Sequence, residues 1–310
     1  MHVTEYTRDL RLSGERVVVL GFFDGVHTAH RRLLSMAASE ARRTGRELCV
    51  LTFLSEGRAL KPGAERIYPT DIKLQLLQGL GVDRTVLCEF SAVSDMDAET
   101  FVGEVLCLAL GCATAVCGYN FRFSHGARAD SGVLCRLMAE AGRDCLVCDP
   151  VDFDGHPLSA TFIRGLLREG DMETAAKALG APYRLCACPE RGLGLGRTLG
   201  TPTVNLTFAE GLCRPKNGVY RCIATVGGER YTAVTNVGTC PTFGERPVHA
   251  ECYLLDFDGD VYGKEITVYF LGFLREERVF SSSEELKMQI ELDIKTTIRE
   301  NPPKDTAELL

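Results

Sequence analysis

The hydrophobic pattern of the chain changes on either side of Gly180-Ala-Pro182, and this change limits the folds that the chain can adopt. Before it, apolar runs such as 17–21 alternate with stretches of helical periodicity such as 28–41, which predicts parallel strands alternating with helices. After it, short strand-like segments are separated by turn residues, which predicts a small antiparallel barrel. Because glycine and proline stop helices, we expect two domains, residues 1–181 and 182–310.

Charge and hydropathy exclude several classes of protein. The formal net charge is −7, so no general affinity for nucleic acid or anionic membranes is expected. The N-terminal residues 1–6 lack the basic and apolar regions of a signal peptide. The longest apolar run, 105–117, is too short to span a bilayer and is interrupted by Gly111. We expect a cytoplasmic protein, and the sequence leaves its oligomeric state open.

The fourteen cysteines are scattered among apolar neighbours, which favours buried free thiols over disulfides. Cys145-Leu-Val-Cys148 has the spacing of half a zinc site. The apolar residues between its cysteines favour a strand instead.

A glycine-rich stretch precedes Pro202. Its backbone can point several N–H groups at one phosphate, but it lacks the Lys-Ser/Thr of a Walker A loop. In an extended segment Thr203 and Asn205 share a face, and their hydroxyl and amide oxygens suit Mg²⁺. An ordinary loop leading into a strand explains the same residues. The glycines are Gly192, Gly194, Gly196 and Gly200.

Gly196-Arg-x-x-Gly-x-Pro-Thr-x-Asn205 resembles the ATP- and Mg²⁺-binding motif of riboflavin kinases. The segments 236–243 and 275–280 resemble two further motifs of the same family. The resemblance implies a Greek-key β-barrel followed by a helix. It also implies that Glu251 accepts the proton of the ribityl hydroxyl, although a glutamate on the solvent face of a strand is the alternative. The implied ligand contacts are Gly194, Gly196 and Arg197 for the ATP phosphates, Thr203 and Asn205 for Mg²⁺, and Asn236 and Arg275 for the flavin.

Two histidines, His27 and His30, follow the first predicted strand at the start of a helix. The positive end of the helix dipole and two hydrogen-bond donors would suit a triphosphate. Two incidental surface histidines are the alternative.

The stretch Gly21-Phe-Phe-Asp-Gly-Val-His-Thr-Ala-His30 resembles the nucleotidyltransferase motif of bacterial bifunctional riboflavin kinase/FMN adenylyltransferases. Ala29 stands where that motif has glycine, Phe22 where it has asparagine, and the segment 51–57 lacks the family's Pro-His-Pro. Segments 118–123 and 158–164 resemble two other motifs of this half, with Ala160 in place of a serine. The resemblance implies a Rossmann-like α/β domain with catalytic His27, His30 and Arg164, and ATP contacts from Asp24, Asn120, Ser159 and Thr161.

The expected activities are phosphorylation of riboflavin to FMN by the second domain and adenylylation of FMN to FAD by the first. ATP is the co-substrate and Mg²⁺ the cofactor of these reactions. One alternative is a riboflavin kinase whose first domain is inactive. A second is a flavin sensor or carrier without turnover.

Finer features of the second half are also predicted. Gly227-Gly228 and Asp258-Gly259 are typical of hairpin turns, and the acidic run 256–260 lacks the later residues of an EF-hand loop. Residues 283–300 are predicted to be a helix that begins with a Ser282/Glu285 capping box. Its apolar stripe is predicted to be Leu286, Ile290, Ile294 and Ile298.

Overall fold

The computed structural model describes residues 1–54, 65–190, 202–238 and 248–300. The chain divides into two compact units, Met1–Ala160 and Thr161–Leu310. The helices that lie between residues 160 and 180 thus group largely with the second unit. A functional boundary between residues 181 and 182 stays a prediction.

The first unit is built on a six-stranded sheet in which every neighbouring pair is parallel. The strand order is β1-β4-β3-β2-β5-β8. Two-stranded antiparallel ribbons, β6 with β7 and β9 with β10, lie in the connections. The strands are β1 (His2–Glu5), β2 (Arg16–Leu20), β3 (Glu47–Phe53), β4 (Arg84–Cys88), β5 (Cys112–Gly118), β6 (Arg122–Phe123), β7 (Ala129–Asp130), β8 (Asp144–Cys148), β9 (Asp152–Phe153) and β10 (His156–Pro157).

Helices cover both faces of this sheet. Along β2, Val17 and Val19 belong to one hydrophobic cluster, while Val18 and Leu20 belong to the other. This division follows from the two-residue period of a strand. The predicted Rossmann-like α/β domain is confirmed. The helices are α1 (Thr28–Thr44), α2 (Thr70–Gly79), α3 (Ala98–Thr100), which continues as a π-helix over Phe101–Ala109, and α4 (Ser131–Glu140).

The strand order reverses between β2 and β5, which lie side by side in the interior of the sheet. In open α/β sheets ligands bind beyond the carboxyl ends of the strands at such a reversal. The loop after β2 carries His27, and the turn after β5 carries Asn120. The topology therefore brings these two predicted site segments to the same edge.

The second unit contains a curled antiparallel sheet of order β11-β16-β13-β14-β15-β12. β13, β14 and β15 form a meander, and β16 returns beside β13, which is the Greek-key arrangement. The predicted barrel with a C-terminal helix is confirmed. Its elements are α5 (Ala160–Glu169), α6 (Met172–Leu179), β11 (Tyr183–Ala187), β12 (Thr203–Thr207), β13 (Gly218–Val226), β14 (Glu229–Gly238), β15 (His249–Leu254), β16 (Ile266–Arg275) and α7 (Ser283–Glu300).

One of the two predicted hairpin turns is present. Gly227 and Gly228 join β13 to β14 with φ of 58° and 89°, values that favour glycine. The hairpin predicted at Asp258-Gly259 is wrong, because β15 pairs with β14 and β12, whereas β16 pairs with β11 and β13. A local turn signal does not determine which strands become neighbours.

The C-terminal helix α7 buries two polar residues. Asp293 and Thr297 are its buried residues, and Ile298 is 55% exposed, so the predicted apolar stripe is wrong at Ile298. The Asp293 carboxylate accepts hydrogen bonds from Nε and Nη2 of Arg275 at 3.0 and 2.8 Å. This ion pair attaches α7 to the end of β16. Half of the predicted capping box forms, since Ser282 Oγ accepts from the Glu285 N–H at 3.1 Å.

Candidate active sites

The loop after β2 has an unusual backbone. Phe23, Gly25 and Val26 have φ of 55°, 75° and 43°, and two of these residues carry a Cβ. Left-handed φ values at such residues cost free energy, and they persist where the surroundings impose them. Asp24 accepts a hydrogen bond from the Ile67 N–H at 2.8 Å. The loop leads directly into α1, whose first turn begins after His27.

His27 and His30 form a stacked pair, with ring centroids 3.7 Å apart and an interplanar angle of 16°. His27 is 4% exposed, and Nδ1 of each ring is buried without a hydrogen-bond partner in the described chain. Burial lowers the pKa of His27 to about 4. Burial, and then the charges of His27 and Lys73, hold the pKa of His30 well below its usual value. Both imidazoles are therefore neutral at pH 7, when each offers one N–H donor.

Lys73 is a residue of this site that the sequence reasoning missed. It lies on α2 and is 1% exposed. Its Nζ donates to the Phe53 carbonyl oxygen at 2.5 Å and lies 5.4 Å from the ring centroid of Phe22. A lysine between the apolar residues Ile72 and Leu74 of a predicted helix was the available signal. Its ammonium places a fixed positive charge at the carboxyl edge of the sheet.

The neutral histidine pair predicts a pH-dependent stability. Because the folded pKa of His27 lies below its usual value, the unfolded chain binds more protons between about pH 6.5 and pH 4, and stability falls as the pH falls through this window. For His27 alone, the loss at pH 5 relative to pH 7 is about 2 kcal/mol. Urea denaturation at both pH values checks this. A His27→Gln variant should lose that much of the pH dependence, and an unchanged dependence would contradict the assignment.

The turn after β5 presents Asn120 to solvent. The turn is closed by the Phe121 N–H, which donates to the Gly118 carbonyl oxygen at 3.0 Å. Further along, Ser124 has φ of 71°, a value that favours glycine. Asn120 therefore occupies a well-defined turn at the predicted edge.

Ser159 is half-buried and immediately precedes α5. Thr161 and Arg164 lie near the start of α5, where Arg164 Nη2 donates to Thr161 Oγ1 at 3.0 Å. The structure thus brings these two predicted phosphate contacts together.

In the second unit, three predicted site residues form a row across adjacent strands. Asn205 of β12 lies opposite Glu251 of β15, and Glu251 lies opposite Asn236 of β14. Directly opposed residues of antiparallel strands point to the same face of a sheet. These three residues are far apart in the sequence, so the sequence alone did not predict that they are neighbours. The pairing of the strands brings them together.

Glu251 lies on the face of β15 that is opposite the core. Ala250, Cys252 and Leu254 are buried, whereas the Glu251 side chain is 36% exposed. Burial in an apolar strand is therefore not what marks Glu251 as a candidate catalytic residue. Its neighbours distinguish it, because Asn205 and Asn236 flank it and the Nε2 of His249 lies 3.1 Å from its Oε1.

Thr203 and Asn205 line a cleft of ≈ 650 Å³. Glu190 and the loop residues Asp258 and Asp260 also contribute to its walls. Hydroxyl, amide and carboxylate oxygens are hard donors, so the chemistry of the cleft fits Mg²⁺. No group of three or more His, Cys, Asp or Glu within the described ranges could hold a metal by itself. Such an ion would need further ligands, which ATP phosphates can supply.

The two predicted flavin contacts, Asn236 and Arg275, each have an acidic partner. Asn236 Nδ2 lies 3.4 Å from Oε1 of Glu277, and a Cβ at Gly238 would overlap that carboxylate. The close approach explains the glycine in the Asn-x-Gly motif. Arg275 is 13% exposed and paired with Asp293, so the structure gives it an anchoring role, and its contact with flavin stays a prediction. The predicted phosphate contacts Gly194, Gly196 and Arg197, and the segment 55–57, lie outside the described residues.

Comparison with known proteins finds a matching family for each half of the chain. Residues 10–162 match the family model described as FAD synthetase, and residues 179–300 match that described as riboflavin kinase. The bifunctional riboflavin kinase/FMN adenylyltransferase of Bacillus subtilis is 32% identical over 293 residues, covering 91% of this chain and 92% of the relative. This chain belongs to the bifunctional riboflavin kinase/FMN adenylyltransferase family. The Pseudomonas fluorescens member is 32% identical and covers 90% of each chain.

A solved structure also matches this family member over nearly its whole length. It is described as a macrolide-efflux protein from Streptococcus pneumoniae and has a TM-score of 0.87, 27% identity, and coverage of 97% of this chain and 100% of its own. Among the helices of the described ranges, none combines the length and the apolar character needed to cross a membrane.

Proposed function

We propose that this protein converts riboflavin to FMN in its second unit and FMN to FAD in its first, using ATP at both sites. The observation that carries the proposal is the row of Asn205, Glu251 and Asn236 beside the Thr203 cleft. It places a carboxylate, two amides and a hydroxyl on neighbouring strands of the domain that matches riboflavin kinases. Such a set can orient a hydroxyl nucleophile against a phosphate. We also propose that the protein acts in the cytoplasm, since both reactions consume ATP.

In the kinase step, the 5′-hydroxyl oxygen of riboflavin attacks the γ-phosphorus of ATP. The bond from that phosphorus to the bridging oxygen breaks, and ADP leaves with the electron pair. Glu251 accepts the hydroxyl proton and later releases it to solvent. Thr203 and Asn205 would hold Mg²⁺, which when bound would neutralise charge on the phosphates. Gly194, Gly196 and Arg197 would contact the phosphates.

In the adenylyl-transfer step, a phosphate oxygen of FMN attacks the α-phosphorus of a second ATP, and pyrophosphate leaves. The nucleophile is already ionised, so no general base is needed. His27 and His30 would donate hydrogen bonds to phosphate oxygens, with Lys73 as a fixed charge behind them. Asp24, Asn120 and Ser159 are the other proposed ATP contacts of the first unit. Thr161 and Arg164 belong to the second unit, and their contact with this ATP stays a prediction.

A second candidate is a riboflavin kinase whose first unit does not turn over. The absent Pro-His-Pro, Ala29 and Ala160 favour it. The stacked histidines and Lys73 favour activity, because a unit without a ligand gains nothing from leaving the Nδ1 atoms of two imidazoles buried and unpaired.

An end-point assay separates these candidates. The purified protein is incubated with riboflavin, ATP and Mg²⁺, and the flavins are separated by chromatography. FMN followed by FAD is expected, and a His27→Ala/His30→Ala variant should stop at FMN. If the unmodified protein also stops at FMN, with FMN added and pyrophosphatase present, the first unit is inactive. If no FMN forms, a flavin sensor or carrier without turnover is the remaining hypothesis.

A further inference from the structure

His249 begins β15 and lies on the same face as Glu251, since residues two apart on a strand share a face. Its Nε2 lies 3.1 Å from Oε1 of Glu251. The His249 side chain is 15% exposed, compared with 36% for Glu251. The imidazole is thus the more buried partner, and the carboxylate is the more exposed one.

The neighbouring strands determine what surrounds this pair. In register, His249 lies between Thr207 of β12 and Gly238 of β14. Gly238 has no side chain, and the Glu277 carboxylate approaches the sheet above it. Two carboxylates therefore border this face, and the histidine is hydrogen-bonded to the one that the proposed function uses as the base.

We propose that His249 is a positioning residue for Glu251. Its Nε2–H donates to Oε1 and holds the carboxylate so that Oε2 receives the proton of the attacking riboflavin hydroxyl. This inference rests on the proposed kinase function. It requires that Nε2 carries a proton.

The physical reason is the flexibility of glutamate. A half-exposed glutamate samples several rotamers, and fixing one of them costs conformational entropy. A small misplacement of a catalytic group can lower a rate by about 10²-fold. A hydrogen bond from a partly buried imidazole selects one rotamer in advance and leaves the second oxygen available. In the transfer, the proton moves from the hydroxyl to Oε2 while the phosphorus–oxygen bond to ADP breaks, so His249 exchanges no proton.

The test compares two substitutions in the full-length protein. His249→Phe keeps a ring but removes the donor, and His249→Gln keeps an N–H that can reach Glu251. We expect kcat for FMN formation to fall about 10- to 100-fold in the phenylalanine variant, as for loss of a hydrogen bond to a charged group. The KM for riboflavin should change by less than about twofold, because ground-state binding is not involved. The glutamine variant should retain kcat within about threefold.

His2→Gln, on the exposed edge strand β1, is the matched control. It should leave kcat for FMN formation and the KM for riboflavin unchanged. Thermal unfolding of each variant reports folding separately from catalysis. The proposal is overturned if the phenylalanine variant keeps the kcat of the unmodified protein. It is also overturned if kcat falls equally in the glutamine and the phenylalanine variants. In either case the kinase function stands as long as the unmodified protein forms FMN. If the unmodified protein forms no FMN, the proposed function itself has failed.

Discussion

Replacing Glu251 with glutamine is expected to lower the rate of riboflavin phosphorylation by about 10²- to 10⁴-fold, the usual contribution of a general base. Glutamine preserves the size of the side chain and can still accept a hydrogen bond from His249, but it cannot accept the hydroxyl proton. The measurement is the initial rate of FMN formation at saturating riboflavin and ATP.

Two controls accompany the Glu251 variant. Adenylylation of added FMN should continue at the rate of the unmodified protein, because that reaction belongs to the other unit. Glu229→Gln, at an exposed position at the start of β14, should leave phosphorylation unchanged. Phosphorylation by the Glu251 variant within about threefold of the unmodified rate would show that the base has been misassigned.

The second large effect is expected on stability. Removing the Arg275 guanidinium by Arg275→Met leaves the Asp293 carboxylate, which is 6% exposed, with Gln289 as its remaining side-chain donor in the described chain. Breaking a buried ion pair from one side costs about 3–5 kcal/mol. The free energy of unfolding, measured by urea denaturation without flavin, should fall by this amount. Hydrogen exchange of the backbone amides of residues 283–300 should report the loss of stability in α7.

The double variant Arg275→Met/Asp293→Leu distinguishes the cause. Replacing both partners of a buried pair by apolar residues is often close to neutral. We therefore expect the double variant to recover most of the lost stability. A double variant as unstable as Arg275→Met would mean that the packing of the arginine, and not its charge, attaches α7. Loss of riboflavin affinity in a double variant of recovered stability would support the predicted flavin contact of Arg275.

Local patterns in the sequence determined most of the elements. The strand that contains Cys145 and Cys148 and the helix Ser283–Glu300 form where the sequence predicts them. The edge strand His2–Glu5 was missed, because its side chains are mostly exposed and carry no hydrophobic signal. The π-helical geometry of Phe101–Ala109 was also beyond a periodicity argument, which predicts only that the segment is helical.

The sequence alone also determined that Thr203 and Asn205 share a face and that His27 and His30 lie on one turn, since both follow from spacing along the chain. Only the tertiary structure placed Asn205 beside Glu251. It also brought the charge of Lys73 to His30 and bound Arg275 to Asp293. The physical reason is that these contacts join segments distant in sequence. They are decided by which strands pair and which faces pack, and these choices depend on the whole core.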